Sequence, residues 1–309
     1  MLLTCKFVNL CRNFSNLIFC RYIQWSLHNP KDGVYNWEGI ADIEEFIRLA
    51  TAEGLYIILR PGPYICAEID NGGLPYWLET KYPGIQVRTD DKNFFNEVQK
   101  WYEALMPRFS KHFYGNGGNV IMVQIENEYG AFKLCNEKYK NFLRDETIKY
   151  TGTNALLFTT DRPIDDELKC GMIDGVFVTT DFGIANETEV QHNFAKLREV
   201  QPKGPLVNSE FYTGWLNHWH EPNQRRSATK LAETMKIMLD MKASVNFYMY
   251  FGGTNFGFWS GANDFGVGKY NADITSYDYD APLDETGATT PKYFSLQNII
   301  GKVSSSAMT

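Results

Sequence analysis

Two hydrophobic periods alternate along this chain, and that alternation restricts the folds open to it more than any other feature. From residue 40, apolar side chains recur as Ile43, Phe46, Ile47 and Ala50, one face of a helix, and Gly54 supplies a stop. LYIILR at 55–60 follows, apolar nearly throughout, as a parallel strand covered on both faces should be. The pairing repeats. Helical stretches at 94–113, 136–150, 186–200 and 227–242 lead into strands at 119–126, 155–160, 204–211 and 244–254, with further strands at 17–25 and 175–183. Seven candidate strands joined by helical crossovers predict an α/β chain with a parallel sheet.

A doubly wound sheet and a closed barrel both satisfy that pattern, and the position of the polar residues separates them. Nearly every strand ends in polar or aromatic side chains: Tyr22, Trp25 and His28 after the first, RPGPYICAE after the second, Asn127 and Glu128 after the third. Thr180 and Asp181 follow the fifth, Asn208 and Glu210 the sixth, and Tyr248 and Asn255 flank the last. Residues from many strand ends converge at the C-terminal face of a barrel. No glycine-rich phosphate fingerprint follows the first strand. The expectation is a (β/α)8 TIM barrel.

Composition narrows the function. The 309 residues carry a net charge of −7 and a pI near 5.4, with no basic run, which argues against a nucleic-acid or anionic-membrane partner and for a neutral substrate. Aromatic residues make up 15%, flat faces available to sugars as readily as to a core. Cysteines at 5, 11, 20, 66, 135 and 170 lack the paired spacing of a zinc site, and no metal or cofactor is expected. His218 and His220 alternate like ligands on a strand but have no third partner in sequence. Sequons begin at Asn13 and Asn186. Lys6, Asn9 and Arg12 interrupt the apolar start, so no signal peptide is expected, and no apolar run is long enough to span a membrane.

VQIENEYG at 123–130 puts Glu126, Asn127 and Glu128 at the end of a buried strand. Glu210 stands 82 residues on and three strands later, so in a barrel it faces Glu128 across the mouth. Two carboxyls across a cleft can divide labour, one protonated as general acid and one ionised as nucleophile or base. The structural alternative is that such glutamates cap helices or pair with Arg60.

RPGPYICAEIDNGGLPYWL (60–78), VQIENEYG, GPLVNSEFYTGWLNHW (204–219), NFYMYFGGTNFG (246–257) and TSYDYDAPLDETG (275–287) resemble, in order and spacing, the catalytic domain of family 35 glycoside hydrolases, the lysosomal-type acid β-galactosidases. The resemblance runs from about residue 16 to about 303. It implies a retaining, exo-acting β-galactosidase that removes terminal galactose from glycans or glycolipids through a covalent glycosyl-enzyme, in the lysosome or outside the cell. It also implies Glu128 as acid/base, Glu210 as nucleophile, and Tyr22, the Ala67 backbone, Glu68, Asn127 and Tyr279 as galactose-binding positions. Glu126 would be structural. Tyr212, Trp215 and Tyr248 would line the pocket or serve as core packing. A disulfide between Cys135 and Cys170 and a free, buried Cys66 are implied likewise.

Departures from that pattern set further expectations. WSLHNP at 25–30 differs from the Trp-Asn-Phe-His-Glu-Pro of vertebrate members, though the tyrosine and histidine remain. Residues 1–15 match neither the family's first strand nor its first helix, and 304–309 form a tail after the domain at 16–303. The barrel is therefore expected to lack its first strand and helix, leaving 17–25 and 244–251 as open edges, and the chain alone to be poorly soluble. A non-catalytic galactoside-binding remnant is the alternative function. An aldolase or isomerase on the same barrel would need a Schiff-base lysine or metal ligands at strand ends, and neither is evident.

Overall fold

The computed structural model describes residues 18–264 and 270–306. Seven parallel strands run β1 (Ile18–Tyr22), β2 (Tyr56–Arg60), β3 (Val120–Gln124), β4 (Leu156–Asp161), β5 (Phe177–Phe182), β6 (Val207–Tyr212) and β7 (Ser244–Tyr248), each hydrogen-bonded to the next in chain order. The helices are α1 (Trp25–His28), α2 (Ile43–Ala52), α3 (Trp77–Lys81), α4 (Lys92–Leu105), α5 (Glu137–Thr151), α6 (Asp165–Gly171), α7 (Glu187–Val200), α8 (Ala228–Asp240) and α9 (Pro291–Ser306). A short antiparallel ribbon, β8 (Ala262–Asp264) and β9 (Tyr270–Ala272), follows the barrel strands.

The sheet curls into a barrel, as contacts between distant strands require. Arg60 of β2 donates to the Ser209 carbonyl of β6 at 2.6 Å, whereas four strand spacings in a flat sheet would separate them by about 19 Å. The interior at this level is polar. Thr160 of β4 and Thr179 of β5 meet the Ser209 hydroxyl at 2.6 and 2.7 Å, and all three side chains are buried. The apolar core lies outside the wall, where Ile57, Leu59 and Val123 pack against Phe94, Val98 and Trp101 of α4, and Val178 and Phe211 against α7 and α8.

Some element ends differ from expectation for identifiable reasons. The first strand stops at Tyr22, and Trp25–His28 forms a helical turn buried under Trp77 and Trp101. His28 is a core residue whose Nδ1 meets the Asn36 carbonyl at 3.1 Å, and burial pushes its pKa down to about 4. The helix expected over 94–113 ends at Leu105, where Pro107, which has no N–H to continue it, starts a 3-10 segment at 106–112. The last strand stops at Tyr248, and Gly252 then passes so close to the Tyr277 carbonyl that a Cβ would sit 1.7 Å from it.

Among the described residues no strand pairs β1 with β7. Between these edges lies a cavity of about 830 Å³, lined by Phe19–Tyr22, Phe46 and Leu49 of α2, and Asn246–Phe251. It reaches Tyr22, Ala67 and Tyr248 at the mouth, while neither Glu128 nor Glu210 lines it.

Helix α7 illustrates a local signal that survives folding intact. The Asn186 side chain accepts from Glu189 N at 3.0 Å, and the Glu189 carboxylate accepts from Asn186 N at 2.7 Å, a reciprocal capping box. The sequon asparagine is thus exposed and serves as the N-cap; the one at Asn13 lies outside the described residues. Asn186→Ala is expected to cost about 0.5–2 kcal/mol, seen as a lower denaturant midpoint with an unchanged slope.

Candidate active site

The carboxylates after β3 are held in a strained turn. Glu126 and Glu128 have φ of 61° and 44°, values that L residues adopt at a cost of about 1–3 kcal/mol each. Arg88 offsets it: its guanidinium donates to both Glu126 oxygens at 2.9 and 2.7 Å and to the Asn127 carbonyl at 2.9 Å. Tyr139 donates to Glu126 at 2.8 Å. Gln124 donates to the Glu126 carbonyl at 2.6 Å and to Asn127 Oδ1 at 2.9 Å, which orients the Asn127 amide towards Glu128 Oε2 at 3.4 Å. Glu126 is therefore a buried anchor, and Glu128 is only half-buried.

Glu210 is aimed by a bulge. The ladder pairs Asn208 with Thr180 and Glu210 with Asp181, while Asn208 and Phe211 pair with Val245 and Phe247, so β6 carries one extra residue relative to both neighbours. Asn208 bridges the irregularity, donating to the Phe182 carbonyl at 3.1 Å and accepting from Glu210 N at 3.2 Å. Glu210 Oε1 then accepts from the Tyr22 hydroxyl at 2.6 Å and from the Arg60 guanidinium. Arg60 is buried, stacks 4.9 Å over the Tyr22 ring, and is the counter-charge to Glu210.

A third segment, Cys66-Ala67-Glu68, has φ of 56°, 57° and 50° in succession. The residue just before the ribbon buttresses it, Gly261 N donating to the Glu68 carbonyl at 2.9 Å. Glu68 accepts from the Tyr277 hydroxyl, which meets the Tyr248 hydroxyl at 2.7 Å. Tyr22, Tyr212, Trp215, Tyr248 and Tyr279 form one aromatic cluster, with Tyr212 and Trp215 edge to face at 5.3 Å and Tyr248 and Tyr279 at 5.4 Å. Gly214 is obligatory there, since a Cβ would lie 1.6 Å from the Tyr279 carbonyl.

These neighbours give the carboxyls unlike environments. Burial first, and the charge of Glu210 second, push the Glu128 carboxyl up to about 8. Burial pushes Glu68 up to about 7, against the lowering effect of its Tyr277 hydrogen bond. Glu210 has an ion-pair partner in Arg60; among the described residues Glu128 has none. One carboxyl is thereby set up to keep its proton, while the other faces a guanidinium.

The sequence-predicted residues gather at this mouth: Tyr22 on Glu210, Asn127 beside Glu128, Glu68 and Ala67 on the strained segment, and Tyr279 with Tyr212, Trp215 and Tyr248 in the aromatic wall. Cys135 and Cys170 are joined by a disulfide. Cys66 is free but only half-buried. His218 is engaged by Glu221 at 2.8 Å and Asn263 at 2.7 Å, whereas His220 is exposed. Sequence reading missed Arg88 and Tyr277 as parts of the site, placed Asp181 at a strand end without a role, and weighed Arg60 only as a structural partner. Tyr277 is spaced two residues from Tyr279 in SYDYD, a signal that could have been read; Arg88 lies in a loop with no motif of its own.

The chain matches the family model described as Glycosyl hydrolases family 35 over residues 11–303. It is 46% identical over 281 residues to the beta-galactosidase-1-like protein of Mus musculus, covering 91% of this chain and 42% of that protein. Against the beta-galactosidase of Homo sapiens the identity is also 46% over 281 residues, covering 91% and 40%. It thus spans about two fifths of the length of these relatives. A crystal structure of beta-galactosidase from the psychrophilic Marinomonas ef1 superposes with a TM-score of 0.71 over 98% of this chain and 57% of that one, at 11% identity, a likeness of fold alone. The chain therefore belongs to glycosyl hydrolases family 35.

Proposed function

We propose that this chain carries the reaction centre of a retaining, exo-acting β-galactosidase that takes terminal β-linked galactose from glycans or glycolipids, in the lysosome or the secretory route. The observation that carries the reading is the contrast between its two carboxyls: Glu210 is held by Arg60 and Tyr22, while burial and the Glu210 charge keep Glu128 protonated up to about pH 8. Glu210 attacks the anomeric carbon as Glu128 gives its proton to the departing glycosidic oxygen, forming a glycosyl-enzyme. Glu128, now a carboxylate, takes a proton from the water that releases the sugar. Asn127 donates to the sugar hydroxyl next to the anomeric carbon. Glu68, Tyr22, Tyr279 and the Ala67 backbone hold the remaining hydroxyls, and rejection of other sugars follows from leaving these buried groups unpaired.

A galactoside hydrolysis assay with trapping of the glycosyl-enzyme tests this. Glu210→Gln should form no glycosyl-enzyme. Glu128→Gln should form it at near wild-type rate from an aryl galactoside whose leaving group needs no proton, and then hydrolyse it slowly. Equal loss of the first step in both variants would sink the division of roles. In a crystal structure the two carboxyls should stand about 5–5.5 Å apart.

Proton linkage gives a second expectation. Burial raises Glu128 to about 8, Glu68 to about 7 and Asp273 to about 6, and raises Asp161 and Asp181 as well. Unfolded, all titrate near about 4. The folded chain thus binds more protons than the unfolded one across that window, and stability falls as pH rises through it. Tm should decline between about pH 5 and about pH 8, and Glu128→Gln should flatten the upper part of the decline. A Tm that rises over the same range would contradict the acid cluster.

A further inference from the structure

Asp181, at the end of β5, has no place in the reaction just described, yet it sits among the groups that perform it. It is fully buried and stands in register with Glu210 at the β6 bulge. The Tyr212 hydroxyl donates to Asp181 Oδ2, and Tyr212 in turn packs edge to face on Trp215 and Tyr248. The other oxygen, Oδ1, is buried without a hydrogen-bond partner among the described residues.

The charged groups around it are Glu128, Glu210 and Asp161, all carboxyls, and the Arg162 guanidinium, which is already engaged with Glu167 at 2.8 Å. Among the described residues Asp181 makes no ion pair. A carboxylate buried in such a place without an ion-pair partner among the described residues is costly, and the cheaper state is the neutral acid. The neutral form carries one hydroxyl hydrogen. With Oδ2 occupied as an acceptor for Tyr212, that hydrogen belongs on Oδ1, where it is a buried donor awaiting an acceptor. The acceptor whose charge develops during the proposed reaction is Glu128, as it yields its proton to the leaving oxygen.

We propose that Asp181 is a positioning residue of this centre, working as a neutral acid that accepts from the Tyr212 phenol with one oxygen and, keeping its proton, donates a hydrogen bond from the other to the Glu128 carboxylate as it forms. The proposal rests on the retaining reading above. Its effect is to make Glu128 a better proton donor, so it matters most for substrates whose leaving group must be protonated.

The test uses Asp181→Leu, which removes donor and acceptor, and Asp181→Asn, a neutral near-isostere that keeps both. In Asp181→Leu, kcat/KM should fall about 10²-fold on a galactosyl disaccharide but much less on an activated aryl galactoside, and the alkaline limb of the pH profile should move to higher pH. Asp181→Asn should lose less on the disaccharide and keep the limb at its wild-type position. A limb that moves to lower pH in either variant would mean that Asp181 acts as an anion, and equal losses on both substrates would mean that it serves packing alone; each overturns the proposal. Should the wild-type chain hydrolyse no galactoside, the retaining reading fails first. The neutral acid is then read from infrared difference spectra, in which Asp181→Asn must lose a protonated-carboxyl carbonyl band; retention of that band overturns it.

Discussion

The ion pair between Arg88 and Glu126 is the contact on which the mouth of this barrel depends. It fixes a turn that holds two glutamates at positive φ, and it does so from a fully enclosed position, with the Arg88 guanidinium 3.8 Å over the Tyr64 ring and 4.5 Å over Phe132. Removing one partner of such a pair leaves an uncompensated buried charge, at a cost of about 3–5 kcal/mol. The pair works with Gln124 and with backbone hydrogen bonds from Glu126 and Glu128 to Gly62 and Thr160 to hold Asn127 and Glu128 side by side. The strain is local, and the interaction that holds it comes from a residue 38 positions earlier.

Arg60 plays the corresponding part on the other side. It crosses the barrel from β2 to the Ser209 carbonyl and the Glu210 carboxylate, and its contact with Tyr22 draws in β1 as well. The neighbouring strands β1 and β2 are thereby tied to the distant β6 at the point where it bulges. The bulge and the cross-barrel guanidinium act together: one turns Glu210 inward, the other supplies the charge that lets it stay there.

Proton chemistry follows from this crowding. Glu128, Glu210, Asp181, Asp161 and Glu68 lie within one another's fields while only Glu210 has a buried arginine as its ion-pair partner among the described residues. Burial first, and the excess of acids over cations second, push protons onto the others. The same crowding explains why tyrosines rather than lysines surround it. Tyr22, Tyr212 and Tyr277 each donate one hydrogen bond to a carboxyl without adding a charge.

How much of this was legible beforehand depends on range. The alternation of periods predicted the seven strands, their parallel order and most helices, because hydrophobic patterning and caps such as Asn186 act within a few residues. The motif resemblance singled out Glu128, Glu210, Glu68, Tyr22 and Tyr279, the first two in runs of chemistry-bearing residues at a strand end. The roles of Arg88, Asp181 and Tyr277 were not legible, and Arg60 was foreseen only as the alternative, structural partner of the strand-end glutamates. Each acts on a carboxyl far away in sequence, Tyr277 on one 209 residues off and Arg60 on one 150 residues off. Those distances are closed only by curling the sheet. The one-residue bulge in β6 was equally hidden, since nothing in VNSEFY differs from a regular strand until its two neighbours set the register. By itself the sequence determined which residues could do chemistry and on which elements they ride. The tertiary structure alone decided which carboxyl meets a guanidinium and which is left to keep its proton, because burial and charge pairing are properties of neighbours in space.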